Sequence, residues 1–270
     1  MTKKTAAYPY LAWALLFIAI PLGLIIYFSF TDGAGSFTFE NIIRTGRYFN
    51  VFIKSIWLSV ISTAICLGIG YPVAYLMSRS SSITGRTLLL LIMLPMWMNF
   101  LLRTYGWMSI LENNGIINQF LGIFGIGPFN MINTQGAVVV GMVYNYIPFM
   151  ILPLHSVMMK IGSDVLEAAQ DLGASPRKVL TEVVFPMSLP GIRTGIIMVF
   201  VPSVSTFIIS QMLGGGSNQL IGDIIELQFL GNAYNPNLGS AISFVLMLLV
   251  LLIMSVSGFL DDDDLEEKLL

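Results

Sequence analysis

Asp164 to Pro186 reads DVLEAAQDLGASPRKVLTEVVFP, a polar stretch set between long apolar segments, and the rest of the chain is understood outward from it. Asp164 with Glu167 three residues later has the spacing of a capping box, Asp replacing the usual Ser or Thr, which predicts a short helix starting at Asp164. Val165, Ala168, Ala169 and Leu172 recur at helical spacing, and Gly173 stands where a left-handed residue would close that helix. Ser175 followed by Pro176 predicts a second helix, because Ser can cap and Pro is tolerated where no backbone donor is needed. This second helix carries Val179, Leu180, Val183 and Val184 on one side and is expected to stop before Pro186. An apolar face on such a hairpin needs a cover. The alanines would let another protein approach closely, although the hairpin could also lie as an amphipathic element on lipid headgroups.

The spacing E-A-A, three residues, G, nine residues, then I-x-L-P resembles the EAA loop of permeases in ATP-binding-cassette importers. Glu167, Ala168, Ala169, Gly173 and Pro186 match it, while Val183 and Phe185 replace the family's Ile and Leu and keep apolar contacts. The resemblance implies a type I importer permease: an all-α, polytopic membrane protein whose residues 159–189 form a cytoplasmic coupling loop that inserts into an ATPase. ATP and Mg would then be bound by that partner, and no cofactor or metal by this chain.

Composition agrees with membrane residence. The 270 residues are 56% hydrophobic and only 10% charged, beyond the apolar content a water-soluble domain needs. A net charge of −2 gives no reason to expect a nucleic-acid partner. The single cysteine, Cys66, excludes a disulfide framework and reads as a small buried hydrophobe. His155 has no acidic or cysteine neighbour to share a metal with and reads as a helix-packing residue.

Six membrane spans are expected, near residues 10–30, 52–78, 87–108, 136–158, 190–212 and 238–260, each long enough at about 1.5 Å per residue to cross a hydrocarbon core of roughly 30 Å. The first reads as a retained anchor, since no short apolar region with a small-residue cleavage site is evident. Basic residues set the orientation. With the amino terminus in the cytoplasm, Lys3, Lys4, Arg79, Arg86, Lys160, Arg177, Lys178, Arg193 and Lys268 lie inside and Arg44, Arg47, Lys54 and Arg103 outside, a bias that also puts the hairpin where ATP is. The acidic end, residues 261–270, reads as a solvated tail. Pro148, Pro153, Pro190, Pro202, Pro72, Gly68 and Gly70 allow kinks or close helix approach.

The outer half favours a cation. No Lys or Arg occurs from Thr104 to Met159 or from Thr194 to Glu267. Glu112 follows the third span, and Asp223 and Glu226 are three residues apart, on one face of a helix. Trp97, Tyr105 and Trp107 sit in or after the third span, and Tyr144, Asn145 and Tyr146 in the fourth. A carboxylate and an ammonium about 4 Å apart attract by roughly 4 kcal/mol at an effective dielectric near 20, and an aromatic face adds about 0.5 to 2 kcal/mol. The same aromatics would also suit a membrane interface, and the same carboxylates plain solvation.

Three blocks narrow the resemblance. MLPMWMNFLLRTYGWMSILENNGIIN (Met93–Asn118), YNYIPFMILPLHSVM (Tyr144–Met158) and LGGGSNQLIGDIIELQFL (Leu213–Leu230) resemble spermidine/putrescine permeases. That family implies two homologous permeases forming the pathway, an extracytoplasmic binding protein that delivers the polyamine, and two cytoplasmic ATPase subunits, all at a bacterial cytoplasmic membrane. One departure stands out: Ser205 and Thr206 precede Phe207 where many relatives carry an acidic residue. The chain has no G-x-x-x-x-G-K-[ST], and Gly214 to Gly216 lacks the lysine. The competing reading is an ion-coupled secondary transporter or channel, which usually holds ionisable relays inside its spans; these spans are nearly free of carboxylates.

Overall fold

Backbone amides have no water to bond in a bilayer core, so an apolar chain must satisfy them within helices or a closed barrel. The computed structural model, which describes residues 8–256, takes the helical solution. In order it contains α1 (Tyr8–Ser29), α2 (Glu40–Thr45), α3 (Phe49–Ser78), α4 (Ser82–Met93), α5 (Phe100–Leu111), α6 (Ile116–Ile123), α7 (Gln135–Met158), α8 (Ser163–Asp171), α9 (Pro176–Met187), α10 (Leu189–Val204), α11 (Ile208–Gly214), α12 (Ile221–Phe229) and α13 (Pro236–Val256). The acidic tail at 261–270 lies outside the described residues, as do Lys3, Lys4 and Lys268.

Among the described residues four helices are long and apolar enough to cross a membrane, and there are up to six spans if each of two bent pairs is one. Two of the expected spans are not straight, unbroken helices. The span expected at 87–108 is divided: α4 continues through a turn at Leu94–Trp97, and α5 leaves it at 91°. Asn99 marks the break by capping α5, its Oδ1 accepting from the Leu101 amide at 2.8 Å. The span expected at 190–212 ends as a continuous helix at Val204, and α9 joins α10 at 65°. Past that end the loose carbonyls find side-chain donors: Ser205 Oγ donates to the Val201 carbonyl at 3.3 Å, and Tyr146 Oη to the Pro202 carbonyl at 3.4 Å.

The core lies where α3, α7 and α10 pack together around Met150, Leu154 and Val199, all fully buried. Close approach is built into α10: a Cβ at Gly195 would stand 2.6 Å from Met150 Sδ, and one at Gly191 would stand 3.1 Å from the Pro153 carbonyl. The hydroxyls buried in α3 are satisfied within their own helix. Ser55, Ser59, Ser62 and Thr63 each donate to the carbonyl four residues earlier, at 2.7 to 2.8 Å. These polar residues therefore sit in an apolar core without unpaired groups. By contrast α1 lies outside the core, touching the body mainly where its second half packs along α13.

Candidate functional site

The hairpin follows α7 through Met159–Gly162 and leads into α10. Its first helix, α8, begins at Ser163, with Gly162 as the N-cap and no side-chain cap. The expected capping box is therefore absent: Asp164 is already inside the first turn, where its charge favours the helix dipole without holding an amide. Its far end agrees with the sequence reading. Gly173 has φ +88°, its amide donates to the Gln170 carbonyl at 2.8 Å, and the Ala174 amide donates to the Ala169 carbonyl at 3.0 Å. That pair of bonds is a Schellman closure.

Ser175 caps α9 by accepting from the Lys178 amide at 3.4 Å, with Pro176 in the first turn. Helical winding does not stop before Pro186 as expected. It widens to a π-helix over Val179–Val184 and continues through Phe185–Met187. The wider winding carries the Phe185 amide back to the Leu180 carbonyl, so the chain enters Pro186 with its ladder already displaced.

The two hairpin helices share a small core of Ile161, Leu166, Val179 and Val184, against which Ala169, Leu180, Val183 and Tyr75 of α3 pack. The sequence reading missed Leu166 and put Ala168, Ala169 and Leu172 on one face. In the fold Ala169 turns toward this core, whereas Val165, Glu167, Ala168 and Leu172 remain exposed. Pro186 and Phe185 are exposed as well, the Phe185 ring 6.0 Å from that of Tyr71.

Away from the hairpin the candidate pathway residues separate into groups. Trp107 of α5 and Tyr144 of α7 meet edge to face, their centroids 5.4 Å apart. Tyr146 lines a small open cavity of about 200 Å³ with Phe100, Pro202, Ser205, Thr206, Phe207 and Ile208, at the break between α10 and α11. Asn145, the residue before Tyr146, is buried but does not line the cavity; its Nδ2 donates to the Gly141 carbonyl at 2.9 Å, and its Oδ1 meets no donor among the described residues. Trp97, in the turn after α4, and Tyr105 are exposed and outside this group, as is Glu112 at the end of α5.

Asp223 and Glu226 both lie on the side of α12 that meets Gln211 of α11, but at different depths. Asp223 is 1% exposed, and its Oδ2 accepts from the Leu220 amide at 2.6 Å, closing the start of α12. Burial pushes its carboxyl above the ordinary range, against the opposing pull of that amide. Glu226 is partly exposed, and its Oε2 accepts from Gln211 Nε2 of α11 at 3.2 Å. Spacing alone could not tell the capping carboxylate from the open one, nor show that Gln211 belongs with them.

Comparison with known proteins decides the class. Residues 19–262 match the family described as the inner membrane component of binding-protein-dependent transport systems. The chain belongs to this family. Among curated members, it is 38% identical to the spermidine/putrescine transport system permease protein PotB of Haemophilus influenzae, over 91% of this chain and 89% of the relative. It is 36% identical to the protein of that name from Escherichia coli, over 90% of this chain and 92% of the relative. Among solved structures, a bacterial alginate ABC transporter in complex with a periplasmic protein carrying an alginate pentasaccharide superposes with a TM-score of 0.80 at 14% identity, covering 96% of this chain and 93% of that one. The fold is thus that of ABC importer permeases, and this family member is a transport subunit.

Proposed function

We propose that this permease, with a homologous second permease, forms the translocation pathway for a polyamine such as spermidine or putrescine. An extracytoplasmic binding protein delivers the solute and two cytoplasmic ATPase subunits, which bind ATP and Mg, drive the cycle. The observation that carries the substrate class is the identity of 36% and 38%, each over nine-tenths of the chain, to proteins named as spermidine/putrescine permeases. The outer-half chemistry supports it: Trp107 against Tyr144, the cavity beside Tyr146, and the accessible carboxylate of Glu226 offer aromatic faces and negative charge, with no lysine or arginine from Thr194 to Glu267.

In this reading the bent α4–α5 pair is one span and α10 another, which with the four long helices gives six, and the amino terminus and the hairpin, α9 included, face the cytoplasm. The exposed Val165, Ala168 and Leu172 strip, with Glu167 beside it, is the surface the ATPase covers, and Gly173 and Pro186 shape its two ends. A polycation entering a negative-inside cell is favoured by about 2.3 kcal/mol per charge per 100 mV, so ATP provides direction and scavenging power rather than force against the field.

The test is reconstitution of the four-part complex in proteoliposomes with its binding protein and radiolabelled spermidine. Uptake that needs ATP and every subunit is expected. Uptake by this chain alone, without ATP, would replace the proposal with a secondary transporter.

A further inference from the structure

The inner end of α3 touches the hairpin at three levels, through residues four apart on one helix face. Arg79, immediately after α3, donates from Nη1 to the Ile161 carbonyl at 3.0 Å and from Nη2 to the Met158 carbonyl at 3.3 Å. These two oxygens flank the junction where α7 ends and the hairpin begins. One turn deeper, Tyr75 packs on the hairpin core of Ile161, Leu166, Val179 and Val184, and the Arg79 guanidinium lies 5.7 Å from its ring centroid. A further turn deeper, Tyr71 Oη is 3.1 Å from Ser188 Oγ. Ser188 is fully buried where α9 turns into α10, and its hydroxyl donates to the Phe185 carbonyl at 2.9 Å. With that proton committed, Tyr71 is the donor in the shared bond.

The hairpin is therefore held at its entrance by Arg79, along its core by Tyr75 and at its exit by Tyr71. We infer that α3 is the strut that receives hairpin movement, with Arg79 and Tyr71 as positioning residues at its two grips; this rests on reading the hairpin as the ATPase-coupling element. Three features separate this from simple packing. Arg79 makes no ion pair among the described residues, so its directed bonds go to main-chain carbonyls, one at the end of α7 and one in the following loop, rather than to an opposite charge. The carbonyl end of α7 attracts a cation, and a planar guanidinium can span two oxygens where an ammonium is a single point. The bends that would let the hairpin pivot, at Met159–Gly162 and at the 65° junction between α9 and α10, are the places the two residues hold. Released from these grips, the hairpin could turn with the ATPase while α3 stayed still.

The experiment measures ATP hydrolysed and spermidine imported in the same proteoliposomes, for complexes carrying Arg79→Gln, Arg79→Lys and Tyr71→Phe. Copurification of the ATPase with each variant is the assembly control, and failure of the unaltered complex to bind an ATPase would overturn the coupling reading itself. Arg79→Gln is expected to retain the ATPase and hydrolyse ATP but import at least threefold less spermidine per ATP. Arg79→Lys should recover only part of the loss, because it keeps the charge without the fork. Tyr71→Phe, which deletes one hydroxyl and keeps the ring against Phe185, should also lower the ratio. An unchanged ratio in Arg79→Gln and Tyr71→Phe, or hydrolysis and import falling in proportion, would overturn the strut. Should Arg79→Gln fail to assemble, Tyr71→Phe and Arg79→Lys decide the matter by the same ratio.

Discussion

Leu166 lies within α8 and Leu172 caps the end of the same helix, yet Leu166 is 9% exposed and Leu172 is 90% exposed. A leucine left that open at the end of a helix contributes nothing to the fold of this chain, whereas Leu166 closes the hairpin core. Their substitutions should separate accordingly. Leu172→Asp is expected to leave thermal stability within about 0.5 kcal/mol, as surface changes usually do, while abolishing ATPase copurification. Leu166→Ala should destabilise the hairpin by about 2 kcal/mol or more. Thermal unfolding in detergent beside a pull-down of the ATPase checks both. Retention of the ATPase by Leu172→Asp would remove this face from the proposed interface.

Gly173 carries the turn between the hairpin helices at φ +88° with open space around the position of a Cβ. Its constraint is therefore torsional and not steric. A left-handed backbone costs a residue with a Cβ about 1 to 2 kcal/mol, least for Asn. Spermidine uptake should fall in the order Gly, Asn, Ala, Val at this position, and Gly173→Asp, which fits the turn as Asn does but adds a negative charge at the end of the proposed ATPase face, should lose both uptake and ATPase association. Equal activity of the Asn and Val variants would show that the turn geometry does not matter to coupling.

How much of this was legible in the sequence depends on whether a residue acts through local or distant partners. Gly173, Ser175 and Pro176 announce a turn and a cap because their bonds are to residues three or four away, and the structure places them so. The break at Asn99 is hidden inside a run of apolar residues whose hydropathy is blind to direction, so the 91° bend within that stretch left no mark in the sequence. Asp164 and Glu167 have a capping spacing, but Gly162 starts the helix first. Arg79 and Tyr71 could be counted as a cytoplasmic charge and a span aromatic. Their bonds, across 82 and 117 residues, exist only once α3 packs on the hairpin.

The carboxylate pair in α12 gives a second separation. Asp223 holds the Leu220 amide and is buried, so Asp223→Asn, which retains an accepting oxygen, should change stability little, while Asp223→Ala should cost about 1 to 3 kcal/mol by leaving that amide unpaired. The pH dependence has a definite sign. A carboxyl raised by burial favours the protonated native state, so its contribution is present below the ordinary carboxylate pKa of about 4 and is lost as pH rises through the raised value. Wild-type protein should thus lose some stability across that window, and Asp223→Asn should not. Glu226→Gln is expected to spare stability and to raise the KM for spermidine. If Asp223→Asn alone raises the KM, the roles of the two carboxylates are reversed.

Trp107 and Trp97 offer a test of which aromatics line the pathway. Trp107 is partly buried with its ring against Tyr144, facing the inner helices of the bundle, whereas Trp97 is 75% exposed in the bend between α4 and α5. An aromatic face contributes about 0.5 to 2 kcal/mol to holding a desolvated ammonium, which corresponds to roughly a twofold to thirtyfold change in apparent affinity at about 1.4 kcal/mol per decade. Trp107→Ala should raise the KM for spermidine within that range, and Trp107→Phe, which keeps a ring beside Tyr144, should recover most of it. Trp97→Ala should leave the KM unchanged, since an exposed indole at a bend has the place of an interfacial anchor. A KM that rises in Trp97→Ala and stays constant in Trp107→Ala would move the pathway to the outer side of α5 and take Tyr144 out of it.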